Sequence, residues 1–128
     1  MEKKSQFYVL VKVKTLASYV FTVTEKSPKK FRFTLVNRLQ NYTLDIIECI
    51  IKGNASRDVP YRLEEQQKAK TLLNLFDAFA EMAMQEGCLL MKQYEVMSKM
   101  VAETLDYLHK WQMATSKKVL AESGSDLV

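Results

Sequence analysis

Turn-forming residues are scarce in this chain. Its 128 residues include three glycines and two prolines. A sheet protein of this size needs many tight turns, so a β-sandwich or barrel is excluded and a few long helices with short links are expected. Histidine occurs once, at position 109. A lone imidazole gives a Ser-His-Asp or Cys-His arrangement nothing to choose from. No glutamate stands three residues before His109, where Asp106 is found, and so the paired Glu-x-x-His ligands of a bundle di-metal site are missing. Two cysteines, Cys49 and Cys88, lie too far apart for a CxxC or zinc-ribbon spacing and read as buried reduced thiols. There is no glycine-rich phosphate loop. No uninterrupted apolar run approaches the roughly 20 residues of a membrane span. The first six residues, Met-Glu-Lys-Lys-Ser-Gln, do not resemble a secretory leader. We therefore expect a cytosolic, non-enzymatic protein without cofactor or metal, not attached to a membrane.

Apolar residues are plentiful, at 48% of the chain, enough for one well-filled core and one domain. Their clearest periodicity begins after Pro28. Val36, Leu39, Thr43, Ile46 and Ile50 recur at steps of three and four, with Leu35, Tyr42 and Ile47 beside them. Asn37, Arg38, Gln40, Asn41, Asp45, Glu48 and Lys52 fall on the other face, which makes this an amphipathic helix over 31–52. Ser27 is suited to cap it, Pro28 to its first turn, and Gly53-Asn54 to its end.

Residues 6–25 are rich in β-branched and aromatic side chains and could form a strand. The helical reading prevails because no partner strand is available. It uses Phe7, Leu10, Val11, Ala17, Val20, Phe21 and Thr24 as the inward stripe. Residues 53–60 form the longest loop. A third helix over 61–86 turns Ala69, Leu72, Phe76, Phe79 and Ala83 inward, widened by Leu73, Ala80 and Met84. Gly87 ends it, and a fourth helix over 91–115 presents Tyr94, Met97, Val101, Leu105 and Leu108, with Trp111 over the bundle end. Four helices of similar length describe an all-α, up-down-up-down four-helix bundle over residues 1–120, with a flexible tail at 121–128.

Charge is divided unevenly. Residues 1–57 hold eleven Lys or Arg against four acids, a net +7; residues 58–128 hold eight against eleven, a net −3. The excess concentrates where the first two helices meet: Lys26, Lys29, Lys30, Arg32 and Arg38, with Lys12 and Lys14 on the preceding helix. Cations near a helix N-terminus gain nothing from the helix dipole, so this cluster is the candidate site for an external polyanion. Phe31 and Phe33 interleave with it, as core or interface anchors or as stacking surfaces for bases. Helix three also carries more apolar residues than one core can take: Leu75, Phe76, Phe79, Met82 and Met84. The surplus favours a homo-oligomer.

The segment Ser27-Pro28-Lys29-Lys30-Phe31-Arg32-Phe33-Thr34-Leu35-Val36-Asn37-Arg38-Leu39 resembles the Pro-Lys-x-x-Arg-aromatic-Thr-Leu-x-x-Arg-Leu stretch of the accessory variability determinant proteins of diversity-generating retroelements. Gly87 through Tyr94 is similar to their Gly-x-Leu-x-x-x-Gln-Tyr corner, and Leu108–Trp111 to their closing Leu-Gly-Gly-Trp, with His109-Lys110 in place of the two glycines. Where the family often has arginine on helix three, this chain reads Phe79-Ala80-Glu81-Met82. The resemblance implies a bundle assembled as a ring-like pentamer. It also implies binding of a reverse transcriptase and its template RNA, or DNA, in support of mutagenic copying into cDNA, with no chemistry of its own. Lys29, Arg32 and Arg38 are the matching basic positions. The four-helix proteins of ribosomal-RNA intervening sequences share this plan and give the alternative, an RNA- or protein-binding role.

Overall fold

The computed structural model describes the backbone of residues 2–126 and the side chains of residues 3–121. Four α-helices make up the fold: α1 Glu2–Thr24, α2 Asn37–Ala55, α3 Val59–Gln85 and α4 Met91–Asp126. Among the described residues there is no strand. Each helix packs on its neighbours in sequence, and α4 returns to α1, which closes an up-down-up-down four-helix bundle. The helical reading of residues 6–25 holds.

The core follows from which side chains the stripes turn inward. Val9, Val13, Leu16 and Val20 of α1 meet Leu39, Ile46 and Ile50 of α2, Leu73, Phe76 and Ala80 of α3, and Met97, Leu108 and Trp111 of α4, all essentially inaccessible. Burying each larger one stabilises the fold by about 1.5–3 kcal/mol. The stripe expected on α2 is the one buried, including Thr43. That expected on α1 is rotated: Leu10, Ala17, Val20 and Thr24 pack, whereas Phe7, Val11 and Phe21 are exposed. Over Lys3–Thr24 this helix is apolar and long enough to cross a membrane by length and composition alone. Apolar residues on every face leave no polar side to fix the phase of its stripe.

The link between α2 and α3 is shorter than expected. Gly53 does not end α2; it is buried inside it, and α2 continues to Ala55. A Cβ at Gly53 would stand 3.3 Å from both the Glu65 Cβ and the Trp111 ring. The glycine therefore serves close approach, letting the indole of α4 reach across to α2. The end of α2 is held from the next helix, where Arg62 donates to the carbonyls of Gly53 (3.1 Å) and Ser56 (2.6 Å). Pro60 falls within the first turn of α3, where its missing N–H costs nothing. Trp111 lies wholly inside the core instead of covering its end.

At the opposite end Gly87 adopts a left-handed φ of 82°. Cys88 N–H donates to the Ala83 carbonyl (2.8 Å) and Gly87 N–H to Met84 (3.2 Å), which is a Schellman ending. Gln93 then accepts from the Leu90 N–H at 2.9 Å, closing the start of α4 as half a capping box. Helix α4 runs past position 115 to Asp126, so the tail expected at 121–128 is helical through residue 126; Leu127 and Val128 lie outside the described residues.

Candidate polyanion-binding end of the bundle

The second helix is entered through two irregular turns, and these present the basic residues. Pro28, extended at ψ 138°, precedes a 3-10 turn over Lys29–Phe31. A wider π turn, Arg32–Val36, leads into α2. These turns place Phe31, Leu35 and Val36 against the core and leave Lys29, Lys30, Arg32, Phe33 and Thr34 outside. Ser27 does not cap this helix. Its hydroxyl donates instead to the Cys88 carbonyl at 2.8 Å, tying the basic link to the α3–α4 corner.

The seven basic residues separate into three groups. Lys26, Lys29, Lys30 and Arg32 are exposed on one short stretch, and among the described residues none has a carboxylate partner within ion-pair distance. The Lys30 ammonium lies 5.0 Å from the Phe31 ring centre. Arg38, one turn into α2, is occupied differently. Its guanidinium rests 5.4 Å from the Phe79 ring centre and 5.9 Å from that of Tyr42, and it donates to the Tyr42 hydroxyl at 3.3 Å. It therefore joins α2 to α3 while staying at the surface. Lys12 and Lys14 stand apart, about 18–21 Å down the axis of α1 from Lys26 at 1.5 Å per residue. Lys12 is paired with Glu103 of α4 at 3.0 Å. The place of Glu103 on the α1-facing side of α4 commits it to Lys12. Lys14 is exposed, away from the other five.

Lys92, which the sequence reading missed, and Phe33, which it named, complete this end. Lys92, in the first turn of α4, is exposed on the corner that Ser27 holds. Phe33 is 84% exposed, and Leu90 and Met91 beside the corner are exposed as well. Acids near this end include Glu25, Glu86 and Glu95, all exposed. Cations interspersed with an unburied aromatic ring can hold phosphates and stack a base. The signal for Lys92 was a cation at a helix start, the argument already applied to α2.

Nucleophilic chemistry has little support. Both cysteines are free. Burial, and then a hydrogen bond to Glu65 and that carboxylate's charge, push the Cys49 thiol up to about 11. Burial raises the Cys88 thiol too, against a smaller opposing effect of the Ser27 hydroxyl. Thiols held protonated are poor nucleophiles. Among the described residues no three His, Cys, Asp or Glu side chains converge as a metal site would require. No protein-family model matches the chain, and comparison with curated proteins finds no significant match.

Proposed function

We propose that this protein is a non-enzymatic accessory factor of a diversity-generating retroelement, working in the cytosol, whose basic end engages a reverse transcriptase and its template RNA. One observation carries the reading. Lys26, Lys29, Lys30 and Arg32 stand together, exposed, and among the described residues none is ion-paired with a carboxylate. Uncompensated charge of one sign repels itself, and an external anion relieves that repulsion. The resemblance of residues 27–39 and 87–94 to the accessory variability determinant proteins names the polyanion as RNA. The physical reasons found for Ser27, Gly87 and Gln93, which join those two segments into one corner, support treating them as a unit. A ring-like homo-pentamer belongs to the same reading, supported by the exposed Leu75 and Met82 of α3.

The test is charge reversal at Lys29, Lys30 and Arg32 to Glu, with RNA binding followed by fluorescence anisotropy across a salt series. The parent should bind with a steep log–log salt slope, and the slope should shrink by about 0.7 for each phosphate contact a substitution removes. The triple variant should bind at least about tenfold more weakly at 100 mM salt, a loss on the order of 1.4 kcal/mol. It should also lose co-purification with the reverse transcriptase. Unchanged affinity in a variant with the parent's circular dichroism would end the proposal.

A further inference from the structure

A second cationic site lies at the far end of the molecule. Tyr8 and Tyr107, stacked at 5.2 Å, and the Lys12–Glu103 pair fix α1 antiparallel to α4. In that register the start of α1 stands beside about residue 113, and the later turns of α4 run on past it, at 5.4 Å per turn. The step between the short helix and the long one leaves a cleft of about 790 Å³. That is within the range of small-molecule sites, roughly 300–1,000 Å³.

Its lining has two chemistries. The tyrosine pair and the half-exposed Met113 form an apolar wall able to take a planar ring. Lys4, Lys110 and Lys117 stand around it, and among the described residues no acidic side chain lines the cleft. Lys110 is shared, bonded to Asp106 at 3.1 Å and poised 5.1 Å from the Tyr107 ring centre. Lys4 and Lys117 have no ion-pair partner among the described residues. His109, also on the rim, adds donor and acceptor nitrogens for a ribose or base edge.

An apolar ring wall beside three ammonium groups matches a ligand that is aromatic at one end and anionic at the other. We propose that this cleft binds a phosphorylated nucleoside, its base against Tyr8, Tyr107 and Met113 and its phosphate between Lys4, Lys110 and Lys117. The site is independent of the basic end, about 33 Å away by the length of α1. Two sources share this chemistry, a free nucleotide and one unit of a single strand.

The experiment titrates adenosine 5′-monophosphate into the full chain, following the resonances of Lys4, Tyr8, Tyr107 and Met113 by NMR. Adenosine, ribose 5-phosphate and inorganic phosphate are run beside it. Saturable shifts confined to the cleft are expected below about 1 mM, with each partial ligand weaker by about tenfold or more. Lys4→Glu/Lys117→Glu, at exposed positions that carry no packing, should weaken the nucleotide by about tenfold. Lys29→Glu/Lys30→Glu should leave it unchanged, which keeps this outcome separate from the test of the basic end. A short oligoribonucleotide that displaces the nucleotide identifies a strand as the source, and one that does not identifies a free nucleotide. No shift up to about 10 mM, equal binding of inorganic phosphate, shifts seen only with anionic lipid vesicles, or full affinity in Lys4→Glu/Lys117→Glu would overturn the proposal.

Discussion

Glu65 organises one corner of the molecule by being a carboxylate in the wrong place for one. It is only 4% exposed, in the second turn of α3. A buried charge of this kind persists where donors surround it. The Lys68 ammonium lies 3.5 Å away, and the Cys49 thiol and Tyr61 hydroxyl are near enough for it to act on their protons. These donors are held protonated in return. Tyr61 is raised first by burial and then by Glu65, and Cys49 moves from its ordinary 9.0 to about 11. The direction gives the pH dependence. A group whose folded pKa exceeds its unfolded one contributes stability that is complete below the unfolded value and lost as pH climbs through the folded one. For Cys49 the window is pH 9 to about 11. The Tm advantage of the parent over Cys49→Ala should therefore be constant up to pH 9 and shrink between 9 and 11. A gap of constant size across that range would show that neither burial nor Glu65 raises the thiol.

Small residues let helices approach closely, and Gly53 is one of them. Replacing it with alanine has two opposed effects. Alanine gains about 1 kcal/mol of helix propensity over glycine. Against this, its Cβ would sit 3.3 Å from the Trp111 ring and the Glu65 Cβ, and overpacking a filled core costs about 1–3 kcal/mol. Both neighbours are buried and have little room to yield, so Gly53→Ala should lose about 1 kcal/mol and Gly53→Val about 3 kcal/mol in urea unfolding. If alanine stabilised the protein by its full propensity gain, the indole would have to be free to move. The same glycine marks the limit of reading elements from sequence. Asn and Ser nearby suggested a helix end, and only the approach of Trp111, far along the chain, reveals close packing. Helix α2 was legible because its two faces differ in polarity. Helix α1 was not, because Val9 and Val13 compete with Phe7 and Val11 for the inward side. The basic link was legible because Lys26–Arg32 is contiguous. Lys12 was misassigned because its partner lies 91 residues away, and the α1–α4 cleft could not be foreseen without the register and length of α4.

At the scale of the molecule two kinds of surface are exposed, and they respond differently to salt. Cations at the basic end act through screened electrostatics, which weaken as the Debye length falls from about 10 Å at 0.1 M toward 3 Å at 1 M. Leu75 and Met82 on α3, with Phe7 and Phe21 on α1, act through burial of apolar area, which added salt does not weaken. If the proposed ring forms through apolar seams while RNA is held by the cationic end, the two must separate on a salt titration. Light scattering should give about 74 kDa, five copies of a 14.8 kDa chain, both at 50 mM and at 500 mM salt. Bound RNA should be released over the same interval, because each phosphate contact contributes about −0.7 to the slope for a single strand. Leu75→Glu/Met82→Glu, which places charge on the α3 surface without touching the core, should reduce the mass toward one chain. It should also lower RNA affinity through lost multivalency, since separate subunits no longer present several basic ends to one strand. A mass of 14.8 kDa for the parent at every concentration and salt would remove the ring and leave each basic end to act alone. An oligomer that dissolves at high salt together with its RNA would instead place the cations in the subunit seam.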